Sequence, residues 1–191
     1  IIIIFYFNNE LLKASGQEKD SISAKENSNI WYIHKSENAP IIFIATKGQI
    51  QKEDYLTFML DSDNCDEVGL TFQITSIMES IPQSDDIFEV LVKYVPGDEY
   101  LSKVGIIGTR IQDGYYFTQF MFENLLTAEE VIAFLGDKDS FEIELQKTQY
   151  GKDPSIYFDI MHNNWNIKEF RKHFNEAQRK CRHNLFDLSE T

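Results

Sequence analysis

From residue 30 onward, short apolar runs alternate with clusters of turn residues, a pattern typical of a fold built mainly from sheet. In residues 68–77 and 88–94 apolar side chains occupy every second position, which is the period of a half-buried strand. The pattern predicts about nine strands. They cover residues 30–33, 41–44, 55–60, 68–77, 88–94, 104–111, 115–122, 141–145 and 156–161.

One connection between these strands has a specific turn signal. Asp113-Gly114 separates the two apolar runs 104–111 and 115–122, and both residue types tolerate the positive φ of a type I′ hairpin turn. The sequence therefore predicts a tight hairpin. Gly105 and Gly108 lie inside the first of these strands, where glycine marks a bulge or a close backbone approach.

Two helices are predicted. The first begins at the capping box from Thr127 to Glu130 and stops at Gly136, because each side chain of a capping box can satisfy the other residue's backbone N–H. The second covers residues 167–183, with Asn166 as N-cap. Its apolar stripe consists of Ile167, Phe170, Phe174, Ala177 and Cys181.

These elements predict a mainly β (α+β) fold. We expect an antiparallel β-sandwich or curved sheet of about nine strands, with the short helix and the C-terminal amphipathic helix packed on it. The 15 Phe and 9 Tyr among 191 residues favour sheet, since aromatic side chains fit a pleated, half-buried surface.

The N-terminus predicts export. Residues 1–7 are entirely apolar and are followed by the small residues Ala14-Ser15-Gly16, which resemble the apolar core and the cleavage site of a signal peptide. Seven residues are too few to span a bilayer, which takes about 20. The alternative is an N-terminal β-strand, which would favour a cytosolic chain with reduced cysteines. The predicted organisation is a signal-peptide remnant at 1–16, a polar leader at 17–29 and a single domain at 30–191.

Charge restricts the partners. Eighteen basic and 31 acidic side chains give a net charge of −13, which repels phosphate backbones and argues against nucleic-acid binding. Such a field attracts a basic protein partner, although a charged surface also keeps a protein in solution. Residues 166–183 contain six Lys/Arg and two Glu, so we expect a basic helix lying over an acidic body.

The two cysteines lie far apart in the sequence. Cys65 belongs to an acidic loop at residues 61–67, and Cys181 lies on the stripe of the last helix. In an exported chain a Cys65–Cys181 disulfide would join this helix to the sheet. In a reducing compartment both would be free thiols.

No catalytic, cofactor or metal residue is predicted. The acidic loop places Cys65 and Asp66 where a calcium-binding EF-hand needs an oxygen ligand and a glycine. No His-Glu-x-x-His, Cys-x-x-Cys or Gly-x-Ser-x-Gly motif occurs. We therefore expect neither an enzyme nor a bound cofactor.

Two regions are candidates for a partner surface. One is the acidic loop and the other is the aromatic strand 115–122, which is apolar on both faces. That strand is either central and covered on both sides or exposed to a partner. The candidate residues are Asp61, Asp63, Asp66, Glu67, Tyr116, Phe120 and Phe122.

The order of elements resembles that of a known family. Trp31 lies in an aromatic first strand, a mid-chain cysteine follows, and a hairpin leads into Phe122-Glu123-Asn124-Leu125-Leu126. A short capped helix, the strand 141–145, Phe158-Asp159-Ile160 and a helix ending at Cys181 complete the order. In this it resembles the periplasmic accessory proteins of bacterial type VI secretion. The resemblance implies a non-enzymatic periplasmic protein with a disulfide.

These observations predict a non-catalytic exported (periplasmic or secreted) binding or accessory protein that acts through protein–protein contacts. The first alternative is an acidic immunity-type inhibitor of a basic toxin, for which steering by opposite charge is suited. The second is a hydrolase whose site is assembled from scattered carboxylates or histidines.

Overall fold

The computed structural model describes residues 31–36, 39–148 and 151–188. The proposed signal remnant and the polar leader, together with Ile30, lie outside the described residues. Within these residues, ten strands form one sheet, and two α-helices and a short 3-10 helix, η1, pack with it. The elements are β1 (Trp31–Lys35), β2 (Ile41–Lys47), β3 (Tyr55–Asp61), β4 (Glu67–Ser76), β5 (Ile87–Val95), β6 (Glu99–Gln112), β7 (Tyr115–Phe122), β8 (Leu126–Thr127), α1 (Ala128–Leu135), β9 (Ser140–Gln146), η1 (Pro154–Ile156), β10 (His162–Asn166) and α2 (Phe170–Leu188).

The sheet is antiparallel throughout and strongly curved. Its strand order is β1-β2-β3-β4-β7-β6-β5-β9-β10, with β8 paired to β4. The last strand returns to the loop between β2 and β3, where the Gln49 N–H donates to the Asn164 carbonyl over 2.9 Å. The predicted mainly β fold, a curved antiparallel sheet with a short helix and a C-terminal helix, is confirmed.

Aromatic side chains fill the core on the inner face of the sheet. Phe72 and Phe120, on neighbouring strands, stack with ring centroids 5.0 Å apart, and Trp165 lies 6.3 Å from Phe72. Fully buried aromatic side chains contribute the largest apolar area to such a core. The largest of them are Trp165, Phe58, Phe72, Phe88, Phe120, Phe141, Phe170 and Phe174.

The predicted hairpin and bulge are both present. Asp113 and Gly114 have φ values of 52° and 82°, as a type I′ turn requires. The register of β6 against β7 shifts between Ile106 and Gly108, which is the irregularity that the glycines predicted. β6 begins at Glu99, five residues before the predicted start at 104.

The helices differ from the prediction only at their ends. The Thr127 hydroxyl accepts from the Glu130 N–H over 3.2 Å, so the predicted capping box is confirmed. The predicted start of the last helix at 167 is wrong: Glu169 has φ 64°, which interrupts helical geometry, and α2 begins at Phe170. Asn166 accepts instead from the Lys168 N–H in the preceding turn. The predicted end at 183 is also short, since α2 continues to Leu188.

The predicted stripe of the last helix is buried along its whole length. Its five residues each have 0% exposed area, and they are Ile167, Phe170, Phe174, Ala177 and Cys181. Two exposed ion pairs join the beginning of this helix to the segment after α1: Arg171–Asp137 at 3.0 Å and Lys168–Asp139 at 3.8 Å. Exposed pairs contribute little, so the helix is held mainly by apolar contact.

The predicted strand 156–161 is wrong. Pro154 opens η1, and the Asp153 side chain accepts from the Ser155 N–H at its start, so the chain turns there. The strand is β10, five residues of mostly polar sequence. Asn163 and Trp165 point inward and are buried, while Asn164 between them is partly exposed.

The disulfide predicted for an exported chain is present between Cys65 and Cys181, whose Cα atoms lie 5.8 Å apart. It attaches α2 to the acidic loop between β3 and β4. Among the helices that the structure describes, none is both long and apolar enough to cross a membrane.

Candidate functional site

The sheet splits at the end of β7, and a groove opens there. β7 pairs with β6 as far as Phe122, which lies opposite Val104. The chain then leaves β6, and β8 continues beside β4 at Glu67 and Val68. The resulting gap between β6 and the β8–α1 segment has a volume of about 520 Å³, within the range of pockets that bind small ligands or partner side chains.

The floor of the groove is apolar because it reaches the inner face of the sheet. Phe122, with 8% of its area exposed, contacts the core aromatics Phe72 and Phe141 at ring-centroid distances of 5.8 and 6.5 Å. Leu70 and Leu126 extend this floor beneath α1. A ligand placed here would replace water over a continuous apolar surface.

The wall formed by α1 carries an exposed aromatic ring. Val131 and Leu135 of this helix are buried against the core, whereas Phe134 is 51% exposed and borders the groove. The capping box at Thr127 begins the helix and so determines where this wall starts. Phe134 therefore contributes apolar area to the groove without being needed to hold α1 on the sheet.

The wall formed by β5 and β6 carries a pair of tyrosines. The hydroxyl groups of Tyr94 and Tyr100 lie 2.7 Å apart, and the Tyr94 ring packs 5.5 Å from Phe141. Burial, and then the hydrogen bond to Tyr100, raise the pKa of the Tyr94 phenol far above its ordinary value. Tyr94 is thus a neutral hydrogen-bonding group here, and Tyr100, 42% exposed, presents its ring to the groove.

Charged side chains border the groove in balanced numbers. Asp98 and Glu123 are acidic, and Lys103 and Lys138 are basic. The Lys138 ammonium donates to the Pro96 carbonyl over 2.7 Å, which fixes it at the turn between β5 and β6. The lining is therefore apolar in the floor and neutral in net charge at the rim, an arrangement that can bind an apolar ligand or side chain.

The acidic loop is held rigidly beside this groove. The Asp61 carboxylate accepts from the Asp63 N–H over 2.7 Å, and the Asn64 side chain accepts from Asp66 and Glu67. The Asp66 carbonyl accepts from the Ala128 N–H, which begins α1. Since α1 has eight residues and rises about 1.5 Å per residue, the loop lies within roughly 12 Å of the far end of the groove wall.

The three aromatic residues proposed as partner contacts, Tyr116, Phe120 and Phe122, differ in burial. Phe120 has 0% exposed area, so it is a core residue and cannot contact a partner, which corrects its inclusion as a surface residue. Tyr116 is half-buried, and residues 117–120 are all buried. This strand is therefore central and covered on both faces. Of the three aromatics, only Phe122 lines the groove.

A buried carboxyl group forms a second polar cluster that the sequence did not predict. Asp54, with 0% exposed area, accepts from the Thr75 hydroxyl over 2.5 Å and from the Asn163 amide over 3.0 Å. Burial raises the pKa of Asp54 to about 7, against the lowering effect of these hydrogen bonds. The cluster joins the β2–β3 loop to β4 and β10, so it closes the curved sheet. The only feature of the sequence that could have pointed to this cluster was an aspartate directly before an apolar strand.

The described part of the chain offers no group of three or more His, Cys, Asp or Glu side chains arranged to hold a metal ion. A smaller depression of about 330 Å³ lies on β5, β9 and β10, beside Glu142, Glu144 and His162. Ile50 of the β2–β3 loop also lines it. The groove between β6 and α1 is the larger of these two sites.

No protein-family model, curated protein or solved structure matches this chain. The resemblance to periplasmic accessory proteins of type VI secretion accordingly stays a prediction from the order of elements.

Proposed function

We propose that this chain is a non-catalytic binding protein that holds a protein partner in the groove between β6 and α1. The observation that carries the proposal is the pair of exposed aromatic rings, Tyr100 and Phe134, on opposite walls of a groove whose floor is apolar. Aromatic side chains beside a desolvated pocket are the residues that contribute most to protein–protein binding.

The proposal includes a compartment outside the cytosol. A disulfide persists in oxidising compartments and is rare in the cytosol, so the Cys65–Cys181 bridge supports an exported, periplasmic or secreted protein. The signal-like residues 1–16 support the same route. An accessory role in type VI secretion is the most specific form of this proposal and rests on the order of elements.

A second candidate, inhibition of a basic toxin, is favoured by the acidic loop. The backbone of this loop is held by hydrogen bonds to the Asp61 and Asn64 side chains and by the disulfide, so the loop needs little ordering on binding. The net charge of −13 would accelerate association with a basic partner at low salt. An association rate that stays constant as ionic strength increases would exclude the charge-steered inhibitor.

The groove is tested by capture from the native extract with two matched variants. Phe134→Asp places a charge at the groove wall, and Ile156→Asp places one at a distant site of equal exposure, 51% against 52%. We expect a protein that is captured by the wild type and by Ile156→Asp but not by Phe134→Asp. Identical captured sets from all three proteins would overturn the proposal.

A further inference from the structure

In the part of the chain that the structure describes, the first five residues of β6 have only one neighbouring strand. Residues 99–105 pair with β5, but β7 pairs with β6 only from Val104 onward. Among the residues that the structure describes, no strand pairs with the other side of 99–103. This backbone edge faces the groove, since Tyr100, Ser102 and Lys103 are among the residues that line it.

The hydrogen-bonding groups on this edge can be assigned. The Tyr94 N–H donates to the Asp98 carbonyl over 3.1 Å, so Asp98 points its backbone groups toward β5. Because these groups alternate in direction along an antiparallel strand, Tyr100 and Ser102 also bond to β5. The N–H and C=O groups of Leu101 and Lys103 point the other way, into the gap that β7 leaves.

We propose that an extended segment of the partner adds to β6 as a further strand in this gap. The proposal rests on the proposed function and specifies how the partner binds. A strand offers backbone groups to the edge and directs alternate side chains to one face, where Phe122, Tyr94 and Tyr100 would receive them. A helix satisfies its own backbone groups and would leave those of Leu101 and Lys103 unpaired.

The charge distribution specifies the composition of this segment. The groove lining is balanced, with two acidic and two basic side chains, so it selects apolar residues within the groove. The acidic loop lies next to β8, where Glu67 pairs with Thr127. The occupant is therefore an extended peptide with apolar or aromatic residues at alternate positions and basic residues beside them.

Hydrogen exchange tests the pairing directly. The probe is a seven-residue peptide in which lysine alternates with valine and phenylalanine, added to the full chain. We expect the exchange of the Leu101 and Lys103 amides to slow by about tenfold or more, and that of Tyr100 and Ser102 to stay unchanged. The same peptide with N-methyl groups on alternate residues should fail to protect them. Absence of protection by the unmodified peptide would overturn the proposal.

Variants separate this proposal from the proposed function. Leu101→Pro removes the N–H that points into the gap and spares the pairing with β5, whereas Leu101→Ala keeps that N–H. We expect peptide binding to be lost in Leu101→Pro and in Phe134→Asp and kept in Leu101→Ala. If peptide binding is lost in Phe134→Asp but kept in Leu101→Pro, the protein binds through the groove without strand addition, and this proposal is overturned while the proposed function stands. If peptide binding is kept in both variants, this proposal and the proposed function are both overturned. A dimer of the wild type that Leu101→Pro dissociates would make a second copy the occupant and overturn the partner assignment.

Discussion

Cys181 on the buried stripe of α2 is bonded to Cys65 in the acidic loop, 116 residues away in the sequence. The Gln178 side chain, one turn earlier in the helix, donates to the Cys65 carbonyl over 3.2 Å. The loop that begins β4 and the last helix are thus joined by a covalent bond and a hydrogen bond. This attachment also holds the segment from which α1 and the groove wall begin, because Asp66 accepts from the Ala128 N–H.

Removing the disulfide should destabilise the fold strongly. A bridge that closes a loop of this length contributes up to about 4–5 kcal/mol on the chain-entropy model. We expect the Cys65→Ala/Cys181→Ala variant to lose about 2–5 kcal/mol of unfolding free energy in urea denaturation. The wild type with a reductant should behave in the same way, and equal midpoints for oxidised and reduced wild type would contradict the prediction.

Asp54 should make stability depend on pH. Its pKa in the folded chain is about 7, whereas an ordinary aspartate in the unfolded chain has a pKa of about 4. The folded state therefore binds more protons between these values, so the free energy of unfolding falls as pH rises through the window. The slope is at most about 1.4 kcal/mol per pH unit, and the loss is complete above pH about 7.

The Asp54→Asn variant isolates this effect, since the other titrating groups are common to both proteins. We expect the difference in unfolding free energy between variant and wild type to change between pH about 4 and 7 and to level off above that. Urea denaturation at several pH values measures it. A difference that is constant across the window would show that Asp54 titrates normally.

Truncation of two phenylalanines, one on each helix, should destabilise the protein to very different extents. Phe174 has 0% exposed area, whereas Phe134 is 51% exposed. Phe174→Ala leaves a cavity in the core and should cost about 3–5 kcal/mol, while Phe134→Ala should cost less than about 1 kcal/mol. Thermal or urea unfolding of both variants checks this. A large loss in Phe134→Ala would mean that this ring holds α1 in place rather than serving the groove.

The Tyr94 phenol should stay protonated where ordinary tyrosines ionise. Burial raises its pKa, and the hydrogen bond to Tyr100 adds to the effect. In a spectrophotometric titration, Tyr94→Phe should therefore keep the full phenolate signal of the wild type at pH about 10. If the signal falls by one tyrosine's share, Tyr94 ionises normally and is open to water.

The strand β10 marks where sequence reasoning failed and why. Counting apolar residues placed the last strand at 156–161, but the chain uses His162–Asn166. Asn163 occupies a core position because its amide is bonded to Asp54 and to the Gln51 carbonyl. An asparagine counts as a polar position in any search for apolar periodicity, even where it is buried. The strand β10 can therefore be recognised only from the tertiary contacts of Asn163.

The groove escaped prediction for a related reason. Phe122 was recognised as a candidate contact, but Tyr100 and Phe134 lie in segments whose local pattern is unremarkable. Their proximity depends on β7 leaving β6 at Phe122 while β8 remains on β4. Such a split depends on which strands pair, and pairing joins residues distant in the sequence.

The sequence by itself determined the elements whose signals are local. These were the alternating strands, the Asp113-Gly114 turn, the capping box at Thr127 and the apolar stripe that ends at Cys181. Period, turn chemistry and capping depend on residues a few positions apart, so they can be read without a structure. The tertiary structure alone decided the strand order, the burial of Asp54 and the split at β7, which leaves one edge of β6 at 99–103 without a neighbour among the described strands. Each of these depends on contacts between distant segments, whose energy no local pattern records.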